Sequence, residues 1–254
     1  MPFKSKQLPE FDMLLPSPLI QGKLIKRYKR FLADIELENG DMITAHCANP
    51  GGMIGLKEAG IDVWLSQSDN PKRKLKYSWE LCRVGGAMVG INTAHPNAIV
   101  EEAILSGKVP ELAGYESLKR EVKYGKNSRI DILLSDPERG LCYVEVKNVH
   151  LKRDDAVPGL AEFPDAVTAR GAKHLDEMAD MVAEGHRAVM FYLIQRDDCD
   201  RFALASDIDP HYAARFSAAT SAGVEALAYD CIIDVKTPSV TVNKAVPIRD
   251  ISAK

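Results

Sequence analysis

Between His186 and Asp197 the chain carries an unbroken apolar run, Ala188-Val189-Met190-Phe191-Tyr192-Leu193-Ile194. It is far shorter than the roughly 20 residues that cross a bilayer. Without a polar residue at alternate positions, it cannot lie in a sheet with one wet face. Such a run is a strand covered on both faces, and its neighbours supply the cover. Asp165 is positioned to cap a long helix with Val167, Leu175, Met178 and Val182 inward, stopped by Gly185. A second helix follows Pro210, and Val224–Ile233 reads as a last strand. Upstream, Asn97 can cap a helix with Ile99, Val100, Ala103 and Ile104 on one face. Between these helices lie strands at Ser117–Tyr124, Arg129–Ser135 and Leu141–Val149, the last two joined by the turn from Asp136 to Gly140. The order is α-β-β-β-α-β with a trailing helix and strand.

The first 90 residues have another rhythm. Gly22–Arg30, Phe31–Glu38 and Met42–Cys47 read as strands, with the hairpin signal Asn39-Gly40 between the last two. Asn49-Pro50-Gly51-Gly52 and Gly60 punctuate the chain before a strand at Ile61–Ser66. Short strands around glycine-rich turns suggest a small barrel of the oligonucleotide-binding (OB) type. The expected division is residues 1–90 for the barrel and 91–254 for a mixed sheet flanked by helices, an α/β chain of two domains.

Charge follows the same division. The whole chain carries a net −3, but residues 1–90 hold 13 Lys and Arg against 10 Asp and Glu, leaving −6 for the remainder. A polyanion-binding surface is therefore expected on the barrel. Lys23, Lys26, Arg27, Lys29 and Arg30 crowd around Tyr28, and Lys72, Arg73, Lys74 and Lys76 precede Tyr77 and Trp79. Cations that neutralise phosphates, beside aromatics that stack on bases, suit single-stranded nucleic acid. Such contacts give salt-dependent, largely sequence-independent binding. The five scattered cysteines include no Cys-x-x-Cys pair and indicate neither a disulfide framework nor a zinc ribbon. The first 20 residues hold Lys4, Lys6, Glu10, Asp12 and four prolines, unlike a signal peptide, so a cytoplasmic protein with no membrane partner is expected.

Chemistry concentrates at three residues. Asp131 stands among aliphatic residues in Ile130-Asp131-Ile132-Leu133-Leu134, and Glu145 and Lys147 are two apart in the next strand, so they project to one face. The intervening hairpin brings Asp131 beside Glu145. Glu-x-Lys alone on a strand can be an exposed ion pair worth under about 1 kcal/mol. Two converging carboxylates instead call for a cation, and hard oxygen ligands suit Mg²⁺ or Mn²⁺. A lysine beside that ion can orient a water and offset charge on a phosphate.

This arrangement resembles the PD-(D/E)XK nuclease core. The whole chain is similar to the sugar fermentation stimulation protein family, through Leu24–Asp34, His46–Met53, Ser128–Asp131, Glu145–Lys147 and Phe163–Gly171. Ala48 and Gly52 depart from the family's pattern, both in the barrel loop. The resemblance implies an OB-like domain, a nuclease-like domain, and DNA binding linked to sugar-utilisation genes. It implies catalytic roles for Asp131, Glu145, Lys147 and Arg170, the last as a phosphate clamp. Nuclease-like cores often place a first-helix glutamate at the metal, which adds Glu102 to Asp131 and Glu145 as candidate ligands. Two functions follow: a Mg²⁺-dependent nuclease acting on DNA or RNA, or a non-catalytic DNA-binding regulator of sugar (maltose) metabolism genes. Many nucleases of this fold pair as homodimers to cut two strands, and the oligomeric state of this chain stays open.

Overall fold

Strands β1 (Ile20–Tyr28), β2 (Leu32–Leu37), β3 (Met42–His46), β4 (Asp62–Gln67), β5 (Tyr77–Val84) and β6 (Ala87–Gly90) form the first sheet. Its order is β3-β2-β1-β4-β5-β6, and a further parallel pairing of β3 with β5 closes the first five into an OB-like barrel. Alternation along the strands fills the interior with Leu24, Ile35, Ala45, Val63, Leu65 and Trp79. Asn39 and Gly40 make the β2–β3 turn, Gly40 adopting φ +85°. The computed structural model describes residues 14–249 except 17, 126–127 and 154–156.

The second domain begins with α1 (Pro96–Leu105), followed by β7 (Ser117–Tyr124), β8 (Ser128–Asp136) and β9 (Gly140–Val149). Then come β10 (Leu160–Phe163), α2 (Ala169–Ala183), β11 (Arg187–Ile194), β12 (Arg201–Leu204) and α3 (Pro210–Ser221). The last strands are β13 (Glu225–Asp234), β14 (Ser239–Ala245) and β15 (Ile248–Arg249). The main sheet runs β14-β13-β11-β9-β8-β7, with β9, β11 and β13 parallel, and β10, β12 and β15 form a small separate sheet. The apolar run is β11, at the centre and fully buried. Phe191 and Leu193 pack on the side of α1, whereas Met190 and Tyr192 pack on the side of α2 and α3. The five cysteines are buried and free. Among the described residues no helix is long and apolar enough to cross a membrane.

Two helix starts differ from the sequence reading. Asn97 does not cap α1: the helix begins at Pro96 after His95, and the Asn97 amide reaches across to Asp131. Asp165 does not cap α2 either. Thr168 does, its hydroxyl accepting from Gly171 N, while Val167 is 74% exposed instead of inward. In both places a long-range partner outcompetes the local cap.

The domains are joined by hydrogen bonds. Val89 bridges Arg196 and Gly90 N donates to Gln195 O. Buried Glu80 accepts from Ser66 Oγ (2.5 Å) and Asn92 Nδ2 (2.7 Å) and lies 2.8 Å from His95 Nε2, tying β5 to the start of α1.

Candidate active site

The β8–β9 ladder runs through Ile132↔Val144, and the residues just beyond that last pair are Asp131 and Glu145. Here the ladder gives way to side chains: Val146 N donates to Asp131 Oδ2 (2.8 Å), a carboxylate standing where a backbone carbonyl would. Asp131 Oδ1 accepts from Asn97 Nδ2 at 2.9 Å. Glu145 Oε1 receives Lys147 Nζ (2.7 Å) and touches His174 Nδ1 from α2. Glu145 Oε2 is buried and, among the described residues, has no partner.

These side chains line a cavity of about 340 Å³ together with Arg170 and, from the barrel, the Asn49–Gly51 loop. Burial pushes the Asp131 carboxyl up, to about 6, and the neighbouring Glu145 charge adds to it. Burial also works against ionised Glu145, but Lys147 and His174 outweigh it and hold its pKa below the ordinary value. Two carboxylates are thus held together with their repulsion only partly relieved.

The orphaned Glu145 oxygen, the raised Asp131 and the all-oxygen donor set fit a hard divalent cation. Among the described residues no three His, Cys, Asp or Glu side chains are grouped to hold an ion. Asp131 and Glu145 are two carboxylates, and Mg²⁺ is commonly bound by one or two, with water and phosphate oxygens completing its shell.

Asp131, Glu145, Lys147 and Arg170 therefore meet in one cavity. Glu102 is not among the residues lining it, and α1 contributes Pro96 and Asn97 instead. The basic candidates divide. Arg27 turns inward, its guanidinium donating to the carbonyls of Asn49 (2.8 Å) and Gly51 (3.1 Å), so it shapes the loop beside the cavity. Tyr28 donates to Asp34 Oδ1 (3.0 Å), and Lys26 lies over the Tyr28 ring and 3.4 Å from Asp34. Lys29 and Arg30 are exposed on the β1–β2 turn. Lys72, Arg73 and Lys74 are exposed between β4 and β5, Arg73 donating to Ser78 Oγ (2.7 Å). Trp79 is fully buried in the barrel and offers no ring for a base.

The opposite wall was not legible as a site. Asp165 Oδ2 accepts from Met53 N of the barrel (2.8 Å) and lies 3.1 Å from His150 Nε2. Burial works against its charge, but the His150 contact and the Met53 and Gly52 amides prevail and hold its pKa at about 2. A Cβ on Gly51 would sit 2.7 Å from both Asp165 carboxylate oxygens, and one on Gly52 would sit 2.7 Å from the Asp165 carbonyl. The paired glycines let the barrel loop approach this closely.

Comparison with known proteins agrees with this architecture. Residues 25–91 match the SfsA N-terminal OB domain, and residues 94–237 match the sugar fermentation stimulation protein RE domain. The chain belongs to the sugar fermentation stimulation protein family. Relatives called sugar fermentation stimulation protein homologs include one from Rhodospirillum rubrum, 58% identical over 93% of this chain and 99% of its own length. Another, from Brucella ovis, is 54% identical over 94% of this chain and 98% of its own. A solved structure, described as Pyrococcus furiosus SfsA in complex with Ca²⁺, superposes with a TM-score of 0.84. It is 22% identical and covers 94% of this chain and 100% of its own, a likeness of fold.

Proposed function

We propose that this family member binds DNA or RNA on its barrel and hydrolyses phosphodiester bonds at Asp131, Glu145 and Lys147 with Mg²⁺ or Mn²⁺. The observation that carries the reading is the meeting of Asp131 and Glu145 at the end of the β8–β9 ladder, with Lys147 Nζ 2.7 Å from Glu145 Oε1 and Oε2 unpartnered. An ion pair placed for stability alone gains little from a second buried carboxylate beside it.

Asp131 and Glu145 would hold the cation. When bound, such an ion polarises a phosphoryl oxygen and makes a nearby water easier to deprotonate. His174 holds Glu145 from α2 and fixes its orientation. Asn97 and Val146 N do the same for Asp131. The Lys147 ammonium, in the same cavity, orients the attacking water and offsets charge building on the phosphate. Arg170, exposed at the cavity and 3.4 Å from His174 through its Nε, clamps a non-bridging oxygen. Lys29 and Arg30 grip the strand backbone. Arg27, which bonds both Arg30 O and the Asn49–Gly51 loop, links that turn to the cavity.

The Ca²⁺ bound to the Pyrococcus furiosus protein supports a divalent ion here as well. The test is incubation of end-labelled single- and double-stranded DNA and RNA with the protein in Mg²⁺, Mn²⁺ or EDTA. Cutting that needs the metal is expected. Binding with no cutting on any substrate would leave the regulator of sugar-utilisation genes as the reading.

A further inference from the structure

Asp131 lacks a ladder partner on its other side too. β7 and β8 pair at Arg120↔Ile132 and at Val122↔Ile130, and the pair between them, Glu121 with Asp131, is missing. Glu121 has φ +56°, a left-handed conformation in mid-strand that a glutamate rarely adopts. Its carbonyl accepts instead from Arg129 Nη1 at 3.2 Å. This twist delivers its carboxylate to Asn97: the same Nδ2 that donates to Asp131 Oδ1 at 2.9 Å reaches Glu121 Oε1 at 3.2 Å. Both amide hydrogens are thereby used on carboxylates.

A strand that merely needed to bend here would be served by glycine. The Glu121 carboxylate is exposed at the rim of the cavity and is tied to Asp131 through the Asn97 amide that both accept from. Independently of Glu121, the cavity holds an acceptor open to a cation, since Glu145 is 2% exposed and its Oε2 has no partner among the described residues.

We propose that Glu121 is a positioning residue for a divalent cation, acting through Asn97 on the Asp131 carboxylate. The proposal rests on the reading that Asp131 and Glu145 hold that cation. It assigns Glu121 no direct bond to the ion, consistent with Mg²⁺ and Mn²⁺ keeping waters in such sites. Residues in this outer position characteristically set metal affinity by about 10–100-fold. The strained backbone is the cost of the placement.

The experiment is calorimetric titration of Mn²⁺ into the full chain and into Glu121→Gln, Glu121→Gly and Asp131→Asn, with melting temperatures taken in EDTA. Glu121→Gln is expected to weaken Mn²⁺ binding by about 10–100-fold. Glu121→Gly, which relaxes the positive φ, is expected to lose affinity equally while melting no lower than wild type. Wild-type affinity in Glu121→Gln, with binding lost in Asp131→Asn, would overturn the role of Glu121 alone. So would a loss in Glu121→Gln matched by a lower melting temperature, which would make the residue structural. No Mn²⁺ binding by the wild type would overturn the cation reading itself.

Discussion

Asp165 shows how one carboxylate joins two domains. Its pKa is about 2 in the folded chain against an ordinary 3.8, so the folded state holds the ionised form. The stabilisation is fully present above pH 4 and lost as pH falls towards 2, and amounts to roughly 2 kcal/mol. Asp165→Asn is expected to lower the melting temperature at pH 7 by about 4–8 °C, with the gap to wild type closing by pH 2–3. Thermal denaturation across that range checks it, and a gap independent of pH would contradict it. Asp131 has the opposite shift, to about 6. Its ionised form is disfavoured by folding, so it costs stability above its ordinary pKa. Both residues carry the same charge, and only their neighbours distinguish them.

At the scale of elements, α2 supplies Arg170 and His174 from its first turns, and Thr168 closes those turns as its cap. Thr168→Ala is expected to cost about 1 kcal/mol in urea denaturation, whereas Asp165→Ala should leave the helical signal of α2 unchanged. The reverse pattern would restore Asp165 as the cap. This mistaken cap marks the limit of what the sequence made legible. The two-residue period of Glu145 and Lys147 and the hairpin placing Asp131 beside them are local signals, and the structure brings these residues together. The covered strand β11 was equally plain from its composition. Asn97 and Asp165 each had a plausible local cap, but their partners lie 34 and 112 residues away in the chain. Local patterns do not weigh such partners. The small β10-β12-β15 sheet escaped notice for a related reason: strands of two to four residues have no readable period. Glu121 gave no signal at all, because nothing in Arg120-Glu121-Val122 announces a positive φ.

Across the whole molecule, charge and shape are divided between a net-positive barrel and an acidic domain that meet at the cavity. If the barrel grips a strand backbone, affinity should fall steeply with salt. Lys29 and Arg30 have positive φ, 48° and 61°, so asparagine removes their charge with less strain than alanine would. Lys29→Asn with Arg30→Asn is expected to reduce the salt slope of single-strand binding by about 1–2. Fluorescence anisotropy over a salt series checks this, and an unchanged slope would move the contact surface away from the β1–β2 turn. The central claim joins that surface to Asp131, Glu145 and Lys147. Its most direct test is metal-dependent cutting of end-labelled nucleic acid by wild type, Asp131→Ala and Lys147→Ala, with binding of each followed by mobility shift. Cutting by wild type alone, with binding retained by all three proteins, is the expected result. Cutting that survives in either variant, or that is absent from wild type while binding persists, would contradict it.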